Sequence, residues 1–441
     1  MTGYNKSQND LYKEFFQAMI PAVLGAAGMS LYFLIDSLFV GICLGDEGFA
    51  AQAIGWSLIT LVTAVSTGIG MGGSIRYSLA IGRNDQKQAK KYYLTTLWLL
   101  FVVAVIMTIM FLVFCDDILH ILKATEEVFK IARDYLIILS WGLIFQVGAY
   151  ALPQLVRNKG AHKTASVATS LGFLCNIVFD YILMFVFNLG VFGCGLAYIM
   201  GQMIIFFICL FYLIKNHNEL LEDWKTFIQR SGQTMIDILK SGISPSGVFF
   251  SSYFVSTFTN MAFLTYGDSV ELAAFMVVMS LLSCTSIANR GFLDGAQPLI
   301  SRYYGEGEIQ KTKKLIKWLY LSSLCFVLTT TVIYGSFRGS WGSLFGVTSS
   351  AGVIINNNMW YCISGYIFVC FARITMSYLY ATNKSISAAV LTYGEGLATV
   401  ILIFTLPCFF GVNGVWAATI IGFTIIGTIA VFIRLVDLRK K

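Results

Sequence analysis

The sequence predicts an all-α polytopic membrane protein, with twelve transmembrane helices in two six-helix lobes related by a pseudo-two-fold axis along the membrane normal. Three observations predict it: the composition, the number of long apolar runs, and an internal repeat. Of the 441 residues, 57% are hydrophobic and only 12% charged, with a mean hydropathy of +0.74. Soluble domains carry about a quarter charged residues, so most of this surface must face lipid instead of water.

A bilayer core about 30 Å thick needs roughly 20 apolar residues per helical span. Such runs lie at 15–43, 51–75, 92–115, 131–155, 164–187 and 193–214, then at 241–266, 271–300, 315–337, 352–380, 385–409 and 414–433. The N-terminal six-helix lobe is therefore residues 1–214, a cytoplasmic linker 215–240, and the C-terminal lobe 241–441. An even number of spans puts both termini on one side. Among the 30 Lys and Arg, only Lys123, Lys130, Arg133 and Arg338 fall on the opposite loops, and Arg76, Arg290 and Arg373 within spans. All the others gather at the termini and the alternate loops, which the positive-inside rule assigns to the cytoplasm. The first apolar run is too long for a cleavable signal peptide, so the first span itself is expected to direct insertion.

The repeat appears in two places. GRNDQKQAKK from Gly82 aligns with GEGEIQKTKK from Gly305, and GVFG from Gly190 aligns with GVNG from Gly411, offsets of 223 and 221 residues. Each string occupies the same place in its half, as duplication requires. Halves of six helices share one orientation, and paired halves of that kind hold a cavity at their interface.

The net charge of +7 is spread over separate loops with no basic domain, so headgroup attraction and topology account for it and no nucleic-acid partner is expected. The ten cysteines include no CxxC pair and mostly sit in apolar runs, where a thiol packs as a small hydrophobe. All three histidines, His120, His162 and His217, fall in predicted loops. With no histidine, metal cluster or nucleophile–base spacing inside the spans, an intramembrane enzyme is not expected.

Charged residues inside spans are costly and mark candidate sites. Counted along their helices, Asp36 lies about 31 Å and Asp180 about 24 Å from the cytoplasmic side. Asn176 is one turn from Asp180 on the same face, and Tyr135 and Tyr198 start helices entering from outside. These five side chains therefore reach a similar depth in the N-terminal half. Two carboxylates in an apolar cavity do not comfortably hold two negative charges, so the pair is expected to take up a proton or Na⁺. In the C-terminal half, Arg290 and Asp294 are four residues apart on one face, with Arg373 and Glu395 also inside spans. They read either as a salt-bridge network closing an inner gate or as cations receiving an anionic substrate. Pro21 and Pro245 occupy matching positions in the first and seventh spans and predict bends there. GIGMGGS, Gly68 to Ser74, reads as close helix packing and not as a phosphate loop.

The ordered strings YFLIDSLFVG (Tyr32 to Gly41), GFAAQAIG (Gly48 to Gly55), RNKGAHKTA (Arg157 to Ala165), NIVFDYILMFVFNLGVFGCGLAYIMGQ (Asn176 to Gln202) and GAQPLISRYYGEG (Gly295 to Gly307) resemble the multidrug and toxic compound extrusion (MATE) family over nearly the whole chain. The resemblance implies a V-shaped pair of lobes in a bacterial or archaeal plasma membrane, exporting small organic molecules in exchange for H⁺ or Na⁺. It implies no cofactor beyond that ion, and a monomer embedded in the bilayer. It places Asp36, Asn176, Asp180 and Tyr135 on the family's coupling positions. The family's helix 6 Thr is replaced by Tyr198, a departure that bears on Na⁺ more than on protons. The alternative is a lipid or lipid-linked saccharide flippase of the same wider superfamily.

Overall fold

The computed structural model describes residues 8–121, 126–215, 232–345 and 347–439. In the N-terminal half lie α1 (Gln8–Gly82), α2 (Gln86–Val113), α3 (Cys115–Ile121), α4 (Glu126–Trp141), α5 (Leu143–Asn158), α6 (His162–Asp180), which continues as a π-helical turn over Tyr181–Val186, and α7 (Gly190–Lys215). In the C-terminal half lie α8 (Gly232–Tyr266), α9 (Ser269–Gly305), α10 (Ile309–Ser336), α11 (Trp341–Leu344), α12 (Ser349–Ala381), α13 (Ser385–Phe410) and α14 (Val412–Arg439). Among the described residues there is no strand. That follows from a lipid solvent, in which each segment must satisfy its own backbone hydrogen bonds.

Ten helical segments are long and apolar enough to cross a bilayer, and the bent pair α4–α5 supplies an eleventh. The twelfth is α8, whose 35 residues exceed the bilayer core but whose hydroxyl-rich face lowers its hydropathy. Those hydroxyls are neutralised locally: Ser252, Thr257 and Thr259 donate to carbonyls one turn back. Ser251 instead donates to the Thr392 carbonyl of α13.

Two expected boundaries differ. The outer loop expected near residues 43–51 is helical backbone, so spans one and two form one helical segment. Straight, it would put Asp36 and Trp56 about 30 Å apart. Yet the Asp36 carboxylate is 4.0 Å from the Cys194 sulfur, and the Trp56 ring is 6.3 Å from Tyr198, one turn further along α7. The segment therefore doubles back between them. The fourth span, expected unbroken over 131–155, is bent by 56° at Gly142. A Cβ at Gly142 would stand 2.3 Å from the Ile199 side chain, so the bend occurs where only glycine admits α7.

The repeat is visible in the backbone. Asn84 and Gly307 both have positive φ (60° and 78°), as do Gly160 and Asn383 (88° and 62°) and Gly190 and Gly411 (58° and 57°). Each pair is separated by 223, 223 and 221 residues, the offsets of the matching strings. Left-handed turn residues at equivalent places are what two copies of one six-helix unit require.

Packing divides the molecule into two lobes joined at one end. One core holds Tyr32, Tyr135, Phe173 and Tyr198 of the N-terminal half; another holds Phe263, Phe275, Tyr366 and Trp416 of the C-terminal half. A third is shared, with Phe15, Ile75 and Leu79 packed among Leu299, Tyr303 and Leu379. Glycines bring the lobes together there: a Cβ on Gly242 would lie 2.1 Å from the Gly68 carbonyl oxygen, and one on Gly82 would lie 2.2 Å from that of Arg302. Within GIGMGGS, Gly68 and Gly72 pack on α8, Gly70 on Ala151 and Gly73 on Thr96, as close helix packing requires. The lobes thus close around the Gly82 and Gly305 turns. Phe101, Phe211, Leu397 and Phe432 are exposed on the outer faces, where lipid is the solvent.

Candidate coupling site and inter-lobe latch

Asp36, Asn176 and Asp180 come together in the N-terminal lobe from α1 and α6, and α7 closes the site. All three are buried, Asp180 completely. Carboxylate oxygens of Asp36 and Asp180 and the sulfur of Cys194 lie within 4.8 Å of one another. Asn176 sits one turn from Asp180 and is wedged against α7, where a Cβ on Gly201 would be 2.8 Å from its own Cβ. Both oxygens of Asp180 and both amide atoms of Asn176 are buried without a hydrogen-bond partner. Buried polar groups are almost always satisfied, so this is a polar pocket built to meet something absent from the chain itself.

Tyr135 and Tyr198 are buried in the same core, with Asp36 in electrostatic reach of both. Tyr198 presents a ring towards Trp56 and a buried hydroxyl towards Tyr150. Two members of the site were not anticipated from sequence. Tyr32, one turn before Asp36, stacks on Phe173 at 5.3 Å between ring centroids. Cys194 resembled the other cysteines in apolar runs, and its signal was the four-residue spacing to Tyr198, which puts both on one face of α7.

The C-terminal charges divide into two groups, which corrects the expectation of one network. Asp294 is 3.6 Å from Arg290 on its own helix and also 3.6 Å from Arg157 of the other lobe, and it accepts a hydrogen bond from Gln154 at 3.2 Å. Arg157 had been assigned to a cytoplasmic loop; it is the last turn of α5 and nearly buried. Arg290 also lies 4.5 Å over the Phe249 ring. The same face carries Asn158 to Gln297 (3.2 Å), Arg76 to Ser241 (2.7 Å), Tyr92 to Asp237 (3.0 Å) and Tyr303 to Glu14 (2.8 Å). Arg373 and Glu395 take no part. They pair at 2.9 Å between α12 and α13, inside the C-terminal lobe. Arg373 Nη1 and Glu395 Oε2 have no hydrogen-bond partner there.

Arg157 stands between two cavities. One, of about 80 Å³, lies between the lobes against Tyr150, Gln202, Arg290 and Asp294. The other, of about 810 Å³, is polar and opens at the closed end against Glu14, Lys159, His162 and Arg302. Pro21 lies in the first span with its carbonyl accepting from the Ser166 hydroxyl of α6. Pro245 lies inside α8, three residues from the Gly68–Gly242 contact. The proline ring removes the hydrogen bond its own N–H would make and crowds the preceding turn, so both positions can bend.

Two helical lobes packed together at one end, with buried polar atoms inside apolar spans, make this the fold of a polytopic membrane protein. The MatE family profile matches residues 21–182. The multidrug export protein MepA of Staphylococcus saprophyticus is 19% identical over 98% of this chain and 95% of its own. The probable multidrug resistance protein YoeA of Bacillus subtilis is 24% identical over 71% of this chain and 70% of its own. A solved multidrug resistance MATE transporter of the MOP superfamily, in its outward-facing conformation, superposes with a TM-score of 0.90 at 20% identity, covering 98% of this chain and 97% of that one. The chain thus carries the MatE pattern over residues 21–182 and shares the fold of solved MATE transporters over nearly its whole length.

Proposed function

We propose that the protein exports small organic molecules by alternating access, driven by protons entering through Asp36 and Asp180. The observation that carries the reading is the buried carboxylate pair, set with Asn176 in a core of aromatic and aliphatic side chains. Such a pair in a low-dielectric site binds a cation or a proton far more readily than it stays doubly charged. Release on the other side then requires the site to change its exposure, and the hinge for that change is the shared core between the lobes.

Protons are favoured over Na⁺. Na⁺ wants several hard oxygen ligands. Here α7 brings the Cys194 thiol to the carboxylates and carries Tyr198, packed on Trp56 of α1, in place of a compact hydroxyl. The closed end is assigned to the cytoplasm, because the Gly82, Gly160, Gly305 and Lys384 turns, which carry 13 of the 30 Lys and Arg against four on the opposite loops, lie there. Breaking the contacts of Asp294, Glu14, Arg76 and Tyr92 would then open the cavity inward for loading. Each lobe interface is complete within one chain, so the monomer is the working unit.

Arg373 is read as structural. Glu395 neutralises it away from the lobe interface, so it does not select an anionic substrate. Reconstitution tests the whole reading: an organic cation added to proteoliposomes should collapse an imposed pH gradient, and a Na⁺ gradient should not substitute for it. Lipid translocation without gradient collapse would favour a flippase instead.

A further inference from the structure

We infer that Asp36, Asp180 and Cys194 form a site for a soft divalent cation of the zinc and cadmium class, which competes with the coupling ion. Their ligand atoms come from α1, α6 and α7 and lie within 4.8 Å of one another, each residue at least 98% buried. A tetrahedral zinc or cadmium ion holds ligands at about 2.0–2.3 Å, hence under about 4 Å apart, so small side-chain rotations close the site. Asp180 can make that rotation because the Asp36 carboxylate, itself a proposed ligand, is the one group that meets it. The Asn176 amide oxygen, without a partner, stands one turn away as a fourth ligand.

The thiol decides the class of ion. Magnesium, calcium and sodium favour all-oxygen shells, whereas thiolate beside carboxylate suits zinc and cadmium. Binding expels the thiol proton and any proton shared by the carboxylates to solvent, so affinity rises with pH. The ion ties three helices together and keeps both carboxylates from accepting a transported proton. Inhibition of export by micromolar metal is the consequence, and that part rests on the coupling role proposed above. Binding itself does not.

Cadmium titration of the purified full chain in detergent tests the site, read through the ultraviolet cadmium–thiolate charge-transfer band. The expected result is one tightly bound Cd²⁺ per chain, weakening as pH falls. Cys194→Ser should abolish the band and weaken binding at least about tenfold, and Asp180→Asn should weaken it comparably. The second variant keeps the test open if the first fails to fold. An unchanged band in Cys194→Ser would place the ion on other thiols and overturn the site, as would unchanged affinity in Asp180→Asn. Either outcome leaves the transport reading standing. Conversely, undiminished efflux after loss of Asp36 would sink the transport reading and leave the metal site intact.

Discussion

At the scale of single residues, the most telling charge is Arg157. It meets Asp294 across the lobe boundary in near-complete burial, and Arg290 meets the same carboxylate from a more open position. Removing one partner of a buried pair strands the other at a cost of about 3–5 kcal/mol. Asp294→Asn should therefore be the most damaging change, because it leaves two cations facing a neutral amide. Arg157→Gln should be intermediate and Arg290→Gln mildest, since each leaves Asp294 one cation. Thermal melting of the three purified variants checks the order, and equal losses would show that Asp294 is not shared. Arg373 and Glu395 give a second residue-scale prediction. Arg373→Met with Glu395→Leu together should melt within a few degrees of wild type, while either alone should fall well below it. Selective loss of anionic substrates in Arg373→Gln at unchanged melting temperature would instead make Arg373 a substrate contact.

Sequence and structure part company at this scale for identifiable reasons. Asp36, Asn176 and Asp180 were legible because ionisable and amide groups inside apolar runs are rare, and residue counting along a helix gives depth directly. Arg157 was not, since an arginine at the predicted end of a span counts equally well as loop or as buried latch. Its role depends on which residue of the other lobe lies opposite, and no spacing within α5 carries that. Cys194 was hidden for the opposite reason: its chemistry was visible, but so was that of nine other cysteines in similar surroundings.

At the scale of elements, apolar runs located twelve spans because lipid exposure writes itself into composition. The seventh, α8, was read as an apolar run at 241–266 and is the least apolar of the twelve, since its window is the one outside the ten spans and the bent pair. Its hydroxyls bond to carbonyls one turn back, which satisfies them without making the helix apolar. The bend at Gly142 and the helical connection between the first two spans escaped notice, because both depend on which helix passes nearby. Glycine contacts at the lobe boundary make an element-scale prediction. Gly242→Leu would push its Cβ against the Gly68 carbonyl oxygen, 2.1 Å from the ideal position. Backbone cannot yield as a side chain can, so α8 and α1 must separate. Spin labels at Asn84 and Glu306 should then report a longer distance than in the unsubstituted protein. An unchanged distance would mean that the closed end does not depend on that contact.

At the scale of the whole molecule, the cores make one mechanical statement: each lobe is internally packed, and the largest apolar cluster shared between them gathers around the Gly82 and Gly305 turns. Two rigid bodies joined in that way can rock, whereas a single continuous core could not. Orientation follows from charge. A reporter active only in the cytoplasm should be bright when fused after Lys441 and dark when inserted between Gly411 and Gly414; the reverse pattern would invert the assigned direction of transport.

The coupling claim depends on Asp36, which can cycle between a charged and a neutral form at the centre of a buried polar cluster. Asparagine fills nearly the same volume but cannot carry a proton through that cycle. The decisive measurement is pH-gradient-driven uptake of a fluorescent organic cation into inverted vesicles, with protein amounts matched by immunoblot. Asp36→Asn should be inserted at wild-type levels and still bind the dye, yet show no gradient-driven uptake, while Asp180→Asn retains part of it. Uptake by Asp36→Asn at the wild-type rate would contradict the account.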